Sequence, residues 1–496
     1  MDAAHAAGAA AVAETHSAVV FFLGDRAYKV KKPVDLGFLD FRSREAREAV
    51  CHREVALNRR LAPDVYLGVA DVVGPDGQVC DHLVIMRRMP PERRLSTLVT
   101  AGEDVDDHLW RLAHLLAAFH ARAERSPAAD KAASRDALAR RWSANTRELL
   151  GLDAGVLDAA EIEAVDRLAH RYLAGRGPLF ERRIAEGRAC DGHGDLLADD
   201  VFCLDDGPRV LDCIEFDVHL RLDDALADVA FLAMDLERLG RPDLAERFLS
   251  AYREHADDTW PSSLAHHHVA YRAQVRAKVA AIRALQGDGA SAPEAKKLLA
   301  MARAHLEVGA VRLIVVGGLP GTGKTTLATG LGDVLGATVL RSDEIRKELA
   351  GLDPTQPAPA GYGGGIYTPA ATAATYREML NRARIALELG ETVVLDASFT
   401  DERWRVAARD LAAATHADVV ELRCTAPPEV AGERIRARLA AGGDASDATP
   451  EIAAAMAAHE APWPSAHQVD TSRGPGAALT EATEVVRRAV AGAPSM

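Results

Sequence analysis

The run from Val311 to Thr326, V-R-L-I-V-V-G-G-L-P-G-T-G-K-T-T, restricts the folds open to this chain more than any other stretch. Val311 to Val316 is mostly apolar and has the length of a strand buried on both faces of a parallel sheet. Gly318-x-x-x-x-Gly323-Lys324-Thr325 then has the spacing of a phosphate-binding P-loop. Glycines at 317, 318, 321 and 323 let the backbone take left-handed or crowded conformations, so that successive N–H groups converge on phosphate. A helix starting near Lys324 brings the positive end of its dipole to the same point. Lys324 can reach the β- and γ-phosphates, and the Thr325 hydroxyl suits a Mg²⁺ ligand. Strand, loop and helix start in this order separate the motif from an ordinary glycine-rich turn. Gly318, Gly321, Thr322, Gly323, Lys324, Thr325 and Thr326 are therefore expected to bind ATP with Mg²⁺.

A chain of 496 residues exceeds what one hydrophobic core serves, so two or three domains are expected. No apolar run approaches the roughly 18 residues that span a bilayer, which argues against a membrane partner. Met1 to Ala13 carries no lysine or arginine and reads as a frayed tail rather than a targeting segment. Six cysteines are scattered without a C-x-x-C pair, which fits reduced thiols in a cytoplasmic protein. A net charge of −14 argues against nucleic acid as a partner.

Ser17–Leu23 and Arg26–Lys32, joined by Gly24-Asp25, read as a hairpin with Lys29 inside its second strand. In the helical stretch Ser43–Leu61, Val50, Leu57 and Leu61 form an apolar stripe on which Glu54 also falls. A carboxylate on a buried face needs a cation, and Lys29 is the candidate. The alternative is a boundary glutamate beside a solvated Lys29-Lys31-Lys32 run. A second hairpin spans Asp64 to Arg87. A helix over Val105–His120 follows, with His114 and His120 expected on its surface or in packing. Residues 121–185 read as two or three helices.

Cys190-Asp-Gly-His-Gly-Asp195 breaks the helical pattern, and Val201–Leu204 and Arg209–Phe216 then read as strands. An aspartate on such a loop can take a hydroxyl proton while a second acid holds Mg²⁺. Tyr28-Lys29, Glu54, His193-Gly-Asp195 and Ile214-Glu215-Phe216 resemble, in order and rough spacing, the aminoglycoside phosphotransferase-like branch of the protein-kinase-like fold. The resemblance implies that Lys29 pairs with Glu54 and positions ATP phosphates, that Asp195 is the catalytic base, and that Asp228 is a structural aspartate. Two positions depart from the family pattern. Its catalytic-loop Asn is Asp200 here, and its Ile-Asp-Phe/Trp metal motif reads Ile214-Glu215-Phe216. Both replacements keep oxygen ligands, so Asp200 and Glu215 are the expected metal ligands. Asp212 and Asp217 are rivals, which strand alternation puts together on the face opposite Glu215. No G-x-G-x-x-G precedes Lys29, an absence common in this branch. The departures leave open a pseudokinase that senses nucleotide.

From Asp223 to Leu306 the pattern is largely helical, and Gly309 is expected to cap the last helix at the domain boundary. After the P-loop helix, Ala337–Arg341 and Glu391–Asp396 read as strands, the second ending in a Walker-B acid beside Thr325. Ser342 reads as an N-cap, Asp343 as a base for an acceptor hydroxyl, and Arg346 as a grip on substrate. Gly361–Pro369 suits a substrate lid. Arg434 and Arg438, one turn apart, can stabilise a transferring phosphoryl group from a lid that includes Gly442–Asp447. The set Gly318–Thr325, Ser342-Asp343-x-x-Arg346, Val394-Leu-Asp396-Ala-Ser398 and Arg434/Arg438 resembles the AAA-type P-loop kinases grouped with polynucleotide-kinase and zeta-toxin-like enzymes.

The expected fold is thus α/β and α+β. A bilobal protein-kinase-like domain over 14–308 precedes a parallel-sheet P-loop NTPase domain over 310–496. The expected function is a bifunctional ATP-dependent kinase acting on hydroxyl groups of small molecules (sugar, amino sugar or nucleotide-like). The alternative is a nucleotide-gated regulatory protein with an N-terminal pseudokinase.

Overall fold

Gly24, at φ +59°, closes the first hairpin with Asp25, because a two-residue turn between twisted strands needs a positive φ at its first central position. The strands are β2 (Ala18–Leu23) and β3 (Arg26–Lys31), and β1 (Ala11–Glu14) pairs antiparallel with β2. The computed structural model describes residues 11–489 except 15–16, 36–39, 153–154, 354, 359, 362 and 442–444. Residues 1–10 of the expected tail and Gly442–Asp444 of the expected lid therefore lie outside the described residues. Ala11 to Ala13 of that tail do not fray as expected: with Glu14 they form β1, whose backbone completes the open edge of β2.

The described residues group into two compact units. The first gathers those of Met1–Arg141, Arg182–Trp260 and His268–Ala302. Its five-stranded antiparallel sheet has the order β1-β2-β3-β5-β4, with β4 over Tyr66–Val73 and β5 over Val79–Arg87. The helix Arg44–Asn58 starts at Ser43, whose hydroxyl accepts from the Ala46 N–H at 3.1 Å. It buries Val50, Cys51 and Val55, and with them Glu54. Cys51 and Val55 pack with Ala27, Val84 and Met86 of the sheet. Beyond the sheet, β6 (Ala189–Asp191) pairs with β9 (Leu222–Asp224), and β7 (Val201–Leu204) with β8 (Gly207–Val210). The strand expected to reach Phe216 ends at Val210. Asp212 has φ +65°, a left-handed conformation that aspartate tolerates but an extended strand does not, so alternation says nothing about Asp212 and Glu215.

The second unit gathers Trp142–Glu181, Pro261–His267 and the described residues from Arg303 onward, so the grouping does not follow one cut at Gly309. Gly309 itself lacks the positive φ of a left-handed cap. Among the described residues between 121 and 185, four helices stand where two or three were expected: Pro127–Ala132, Arg135–Gly151, Ala159–Ala174 and Gly177–Ala185. The unit's sheet has β10 (Arg312–Gly317), β11 (Thr338–Arg341), β12 (Val393–Asp396), β13 (Asp418–Thr425) and β14 (His467–Asp470), all parallel, in the order β11-β12-β10-β13-β14. Every residue of β10 is buried, as its apolar sequence requires of a central strand. Ile314 and Val316 pack with Leu327, Leu331, Ala482 and Val486 from the helices Lys324–Leu335 and Pro475–Arg488. No helix among the described residues is long and apolar enough to cross a membrane.

Gly175 and Arg176 fasten residues 142–181 to this sheet unit. Arg176 is fully buried and donates to the carbonyls of Gly175, Leu387 and Thr415, the last two at the C-terminal ends of the helices Pro369–Glu388 and Glu402–Ala414. Burial pulls its guanidinium down to about 10, still charged at neutral pH. Helix C-termini carry unsatisfied carbonyls and partial negative charge, so one arginine serves two ends. A Cβ on Gly175 would stand 2.1 Å from the Thr415 carbonyl oxygen, so only glycine permits the approach. Arg176→Ala is expected to destabilise this unit by about 2–4 kcal/mol, and Gly175→Ala to lower its calorimetric unfolding midpoint as well.

Candidate active sites

Parallel register in the second unit pairs Val316 of β10 with Asp396 of β12, and both strands end at the P-loop. The Gly318 N–H donates to Ser398 O at 3.1 Å and the Ala397 N–H to Val316 O at 3.3 Å, tying loop to strand end. Gly323, at φ +82°, stands before the helix Lys324–Leu335 without any side-chain cap. Its first N–H groups are therefore left for an anion. Gly321 is a close approach as well as a turn, since a Cβ there would meet Ala431 O at 2.4 Å. Thr322 Oγ1 donates to Leu319 O at 2.7 Å, within the loop. Thr326 lies in the first turn of the helix.

Burial pushes the Asp396 carboxyl above its usual range, although the Lys324 charge and the Thr325 hydroxyl act against this. Its Oδ1 is buried and has no hydrogen-bond partner among the described residues. An orphaned carboxylate oxygen beside a threonine hydroxyl fits Mg²⁺, which prefers oxygen ligands and completes its shell with phosphate and water. No cluster of three or more His, Cys, Asp or Glu among the described residues could hold a metal by itself, so such an ion would depend on the nucleotide. Arg341, not anticipated, brings Nε to 3.6 Å from Asp396 Oδ2. It ends β11 at the register position of Asp396, a juxtaposition only the sheet order reveals.

A cavity of about 540 Å³ opens beside the loop, lined among others by Lys324, Asp343, Arg346, Tyr367, Tyr376 and Ser398. Asp343 lies in the first turn of the helix Ser342–Leu349. Ser342 does not cap that helix as expected: Arg341 occupies the cap position without a side-chain bond, and Ser342 is buried one residue later. The buried Arg346 donates to Ile366 O at 3.2 Å and Thr372 Oγ1 at 3.1 Å, and its guanidinium stacks 4.9 Å from the Tyr367 ring centroid. Tyr367 Oη donates to Asp447 Oδ2 at 2.8 Å, so Asp447 is joined to the Gly361–Pro369 segment. Tyr376, also not anticipated, accepts the Phe399 N–H at 3.1 Å and stacks on Trp404 with centroids 4.8 Å apart.

The two arginines expected to act together diverge. Arg434 reaches the P-loop, donating to Gly321 O at 3.4 Å and to Thr471 Oγ1 and O at 3.0 and 2.9 Å. Arg438 instead donates to Ala448 O at 3.0 Å.

In the first unit Lys29 Nζ lies 2.8 Å from Glu54 Oε1 and 2.6 Å from Asp212 Oδ1. Burial works against the charge of Glu54, but Lys29 and Lys31 outweigh it and hold the carboxyl below its usual range. The Lys29 ammonium brings Asp212 down to about 2. Burial raises Asp195, and burial with Asp212 and Asp195 nearby raises Asp200 well above the ordinary range. The like charges of Asp212 and Asp195 thus bear on the buried Asp200 carboxyl, and a divalent cation there would again depend on the nucleotide for the rest of its ligands. Glu215 is buried and turned instead to Lys31, 2.5 Å away, while Asp217 caps a short turn by accepting the His219 N–H at 2.9 Å.

Asp228 holds the H-G-D loop. Its carboxylate accepts the His193 N–H at 2.7 Å, the Gly194 N–H at 2.8 Å and the His120 ring nitrogen at 3.0 Å. His120, expected on a helix surface or in simple packing, is buried and also bonded to Tyr252 at 2.8 Å. Its partner lies more than a hundred residues away, which no local pattern announces. His193 is buried too, with Nε2 2.9 Å from Leu211 O, so it braces the loop.

The model of the phosphotransferase enzyme family matches residues 11–266, just over half of the chain. The chain belongs to that family. The phosphotransferase domain is followed by a second match, to an AAA domain over residues 313–462. An uncharacterized protein of Mycobacterium tuberculosis is 44% identical over 479 residues, 97% of this chain and 96% of that one. Among solved structures, a choline/ethanolamine kinase family protein from Mesorhizobium loti is 16% identical, covering 60% of this phosphotransferase and 88% of that chain, with TM-score 0.39. An APS kinase from Mycobacterium tuberculosis in complex with AMPPNP and APS is 19% identical, covering 36% and 98%, with TM-score 0.27. With both domains kinase-type, the protein is an ATP-dependent phosphotransferase.

Burial opposes the ionised form of Asp228, but its hydrogen bonds to His120 and the His193 N–H hold it far below the ordinary carboxylate range. A depressed native pKa contributes stability that is present above the unfolded-state value, about 3.9, and lost as pH falls below it. Asp228→Asn should therefore cost about 2–4 kcal/mol near neutral pH. Denaturation measured across pH should show that difference shrinking below about pH 4.

Proposed function

We propose that the protein transfers the γ-phosphate of ATP to hydroxyl groups of small molecules at two Mg·ATP sites. One belongs to residues 14–308 and the other to residues 310–496. The observation that carries the reading is the cavity on which Lys324 and Asp343 both open, beside the buried Asp396. The P-loop N–H groups and Lys324 bind the β- and γ-phosphates. Asp343 accepts the proton of an acceptor hydroxyl as its oxygen bonds to the γ-phosphorus, while the bond from that phosphorus to the β–γ bridging oxygen breaks and ADP leaves. Thr325 and Asp396 would hold Mg²⁺, which supplies neutralisation of phosphate charge. Arg346, buried without a carboxylate partner among the described residues, grips the acceptor from the far side. Arg434 steadies the phosphate loop from Gly321.

At the first site Asp195 is the base and Lys29 positions phosphate. Asp200 and Asp212 are the metal ligands, in preference to Glu215, because Glu215 is occupied by Lys31. The acceptors proposed are sugars, amino sugars or nucleotide-like molecules. Free thiols at all six cysteines fit a reducing, cytoplasmic setting. A second reading keeps the first site as a nucleotide sensor without turnover, favoured by aspartate at 200 where the family has asparagine.

Labelled ATP offered with a panel of sugars, amino sugars and nucleotides tests both readings. Asp343→Asn should lower kcat by roughly 10²–10⁴-fold at the second site while leaving ATP binding intact. Lys324→Ala should remove nucleotide binding there. Asp195→Ala should abolish transfer to one class of acceptor. If it leaves transfer to every acceptor unchanged, the sensor reading replaces catalysis at the first site.

A further inference from the structure

β3 brings two ammonium groups to one carboxylate. Lys29 and Lys31 are two residues apart and so share a face of the strand. Lys29 Nζ lies 2.8 Å from Glu54 Oε1, and Lys31 Nζ 2.6 Å from Glu54 Oε2. Each lysine also holds a second acid from the segment after β8. Lys29 takes Asp212 at 2.6 Å and Lys31 takes Glu215 at 2.5 Å. Exposure divides these groups. The side chains of Lys31, Glu54 and Glu215 are 1%, 0% and 10% exposed, whereas that of Asp212 is 54% exposed. Arg53 closes the buried half by donating to Glu215 O at 3.2 Å.

On the reading above, in which Lys29 meets nucleotide phosphate, we propose that Lys31 is a positioning residue that keeps Glu54 and the 212–215 segment fixed while Lys29 exchanges Asp212 for phosphate oxygens. Glu54 has no exposure, so a change of partner at Lys29 would leave an undercompensated buried charge if Lys29 were its only cation. With Lys31 on its other oxygen, Glu54 stays paired throughout the exchange. Lys31 is enclosed and cannot itself reach a nucleotide, so it acts through Glu54 and Glu215. The same contact removes Glu215 from the metal site and leaves Asp212 free to serve there.

The test uses the full chain carrying Lys324→Ala, which silences the P-loop site, and calorimetric titration with Mg·AMPPNP. Lys31→Met strands two buried carboxylates on one remaining ammonium and can fail to fold. The charge-balanced pair Lys31→Met/Glu215→Gln avoids that. It is expected to bind about tenfold or more weakly, the usual scale for removing an outer-shell partner, with its unfolding midpoint close to that of the parent. Asp212→Asn should raise the Mg²⁺ concentration needed for half-saturation, and Glu215→Gln should leave that concentration where it was. A merely structural lysine would move the unfolding midpoint and not the nucleotide affinity. Binding by the double variant within twofold of the parent overturns the proposal, as does a Mg²⁺ shift in Glu215→Gln matching that of Asp212→Asn. If the Lys324→Ala chain binds no nucleotide at all, the proposal falls together with the first-site reading beneath it.

Discussion

Glu54 has no exposure, and a carboxylate taken out of water must be met by cations at close range or lose its charge. Two lysines of one strand meet it, and each carries a second acid with it. The positions of β3, the helix Arg44–Asn58 and the segment holding Asp212 and Glu215 are therefore coupled through charge as well as through packing. These elements have little freedom to drift, because displacing either lysine leaves a buried carboxylate short of counter-charge.

The P-loop unit solves the same problem differently. Asp396 is buried beside Lys324 and Thr325, yet one of its oxygens has no hydrogen-bond partner among the described residues. The sheet keeps that carboxylate where a cation and phosphate can complete it, and the neighbouring Arg341 moderates its charge. Around it the backbone does most of the work. Loop N–H groups are left uncapped, and glycine permits the contact between Gly321 and Ala431. Around Glu54 the first unit closes its charges internally, while beside Asp396 the second leaves an opening that a ligand would fill.

Much of this was legible in sequence where spacing along one element is enough. The P-loop, the two hairpins and the buried face of Glu54 follow from periods of two and 3.6 and from turn chemistry. Lys31 was legible in part, since it shares a strand face with Lys29, but a run of three lysines within four residues reads equally well as a wet edge. The expected strand to Phe216 misled because a single residue, Asp212, turns left-handed and cancels the alternation that would have sorted the acids. Arg434 and Arg438 lie one turn apart on a helix, yet their long side chains reach different backbone targets, which spacing does not encode.

By itself the sequence determined the chemistry on offer: a phosphate-cradling loop with its lysine and threonine, a strand-end acid, and a lysine and glutamate placed to pair. It did so because the loop and the acid depend on residues close together in the chain, and because the helical period put Glu54 on a buried stripe that demands a nearby cation. Tertiary structure alone decided the partners drawn from afar. It brought His120 to Asp228, joined Arg341 to Asp396, gave Glu215 to Lys31 and Asp212 to Lys29, and set Arg176 under two helix ends. Those pairings span stretches of chain whose approach is fixed by sheet order and helix packing, and a buried charge takes whichever counter-charge that packing delivers.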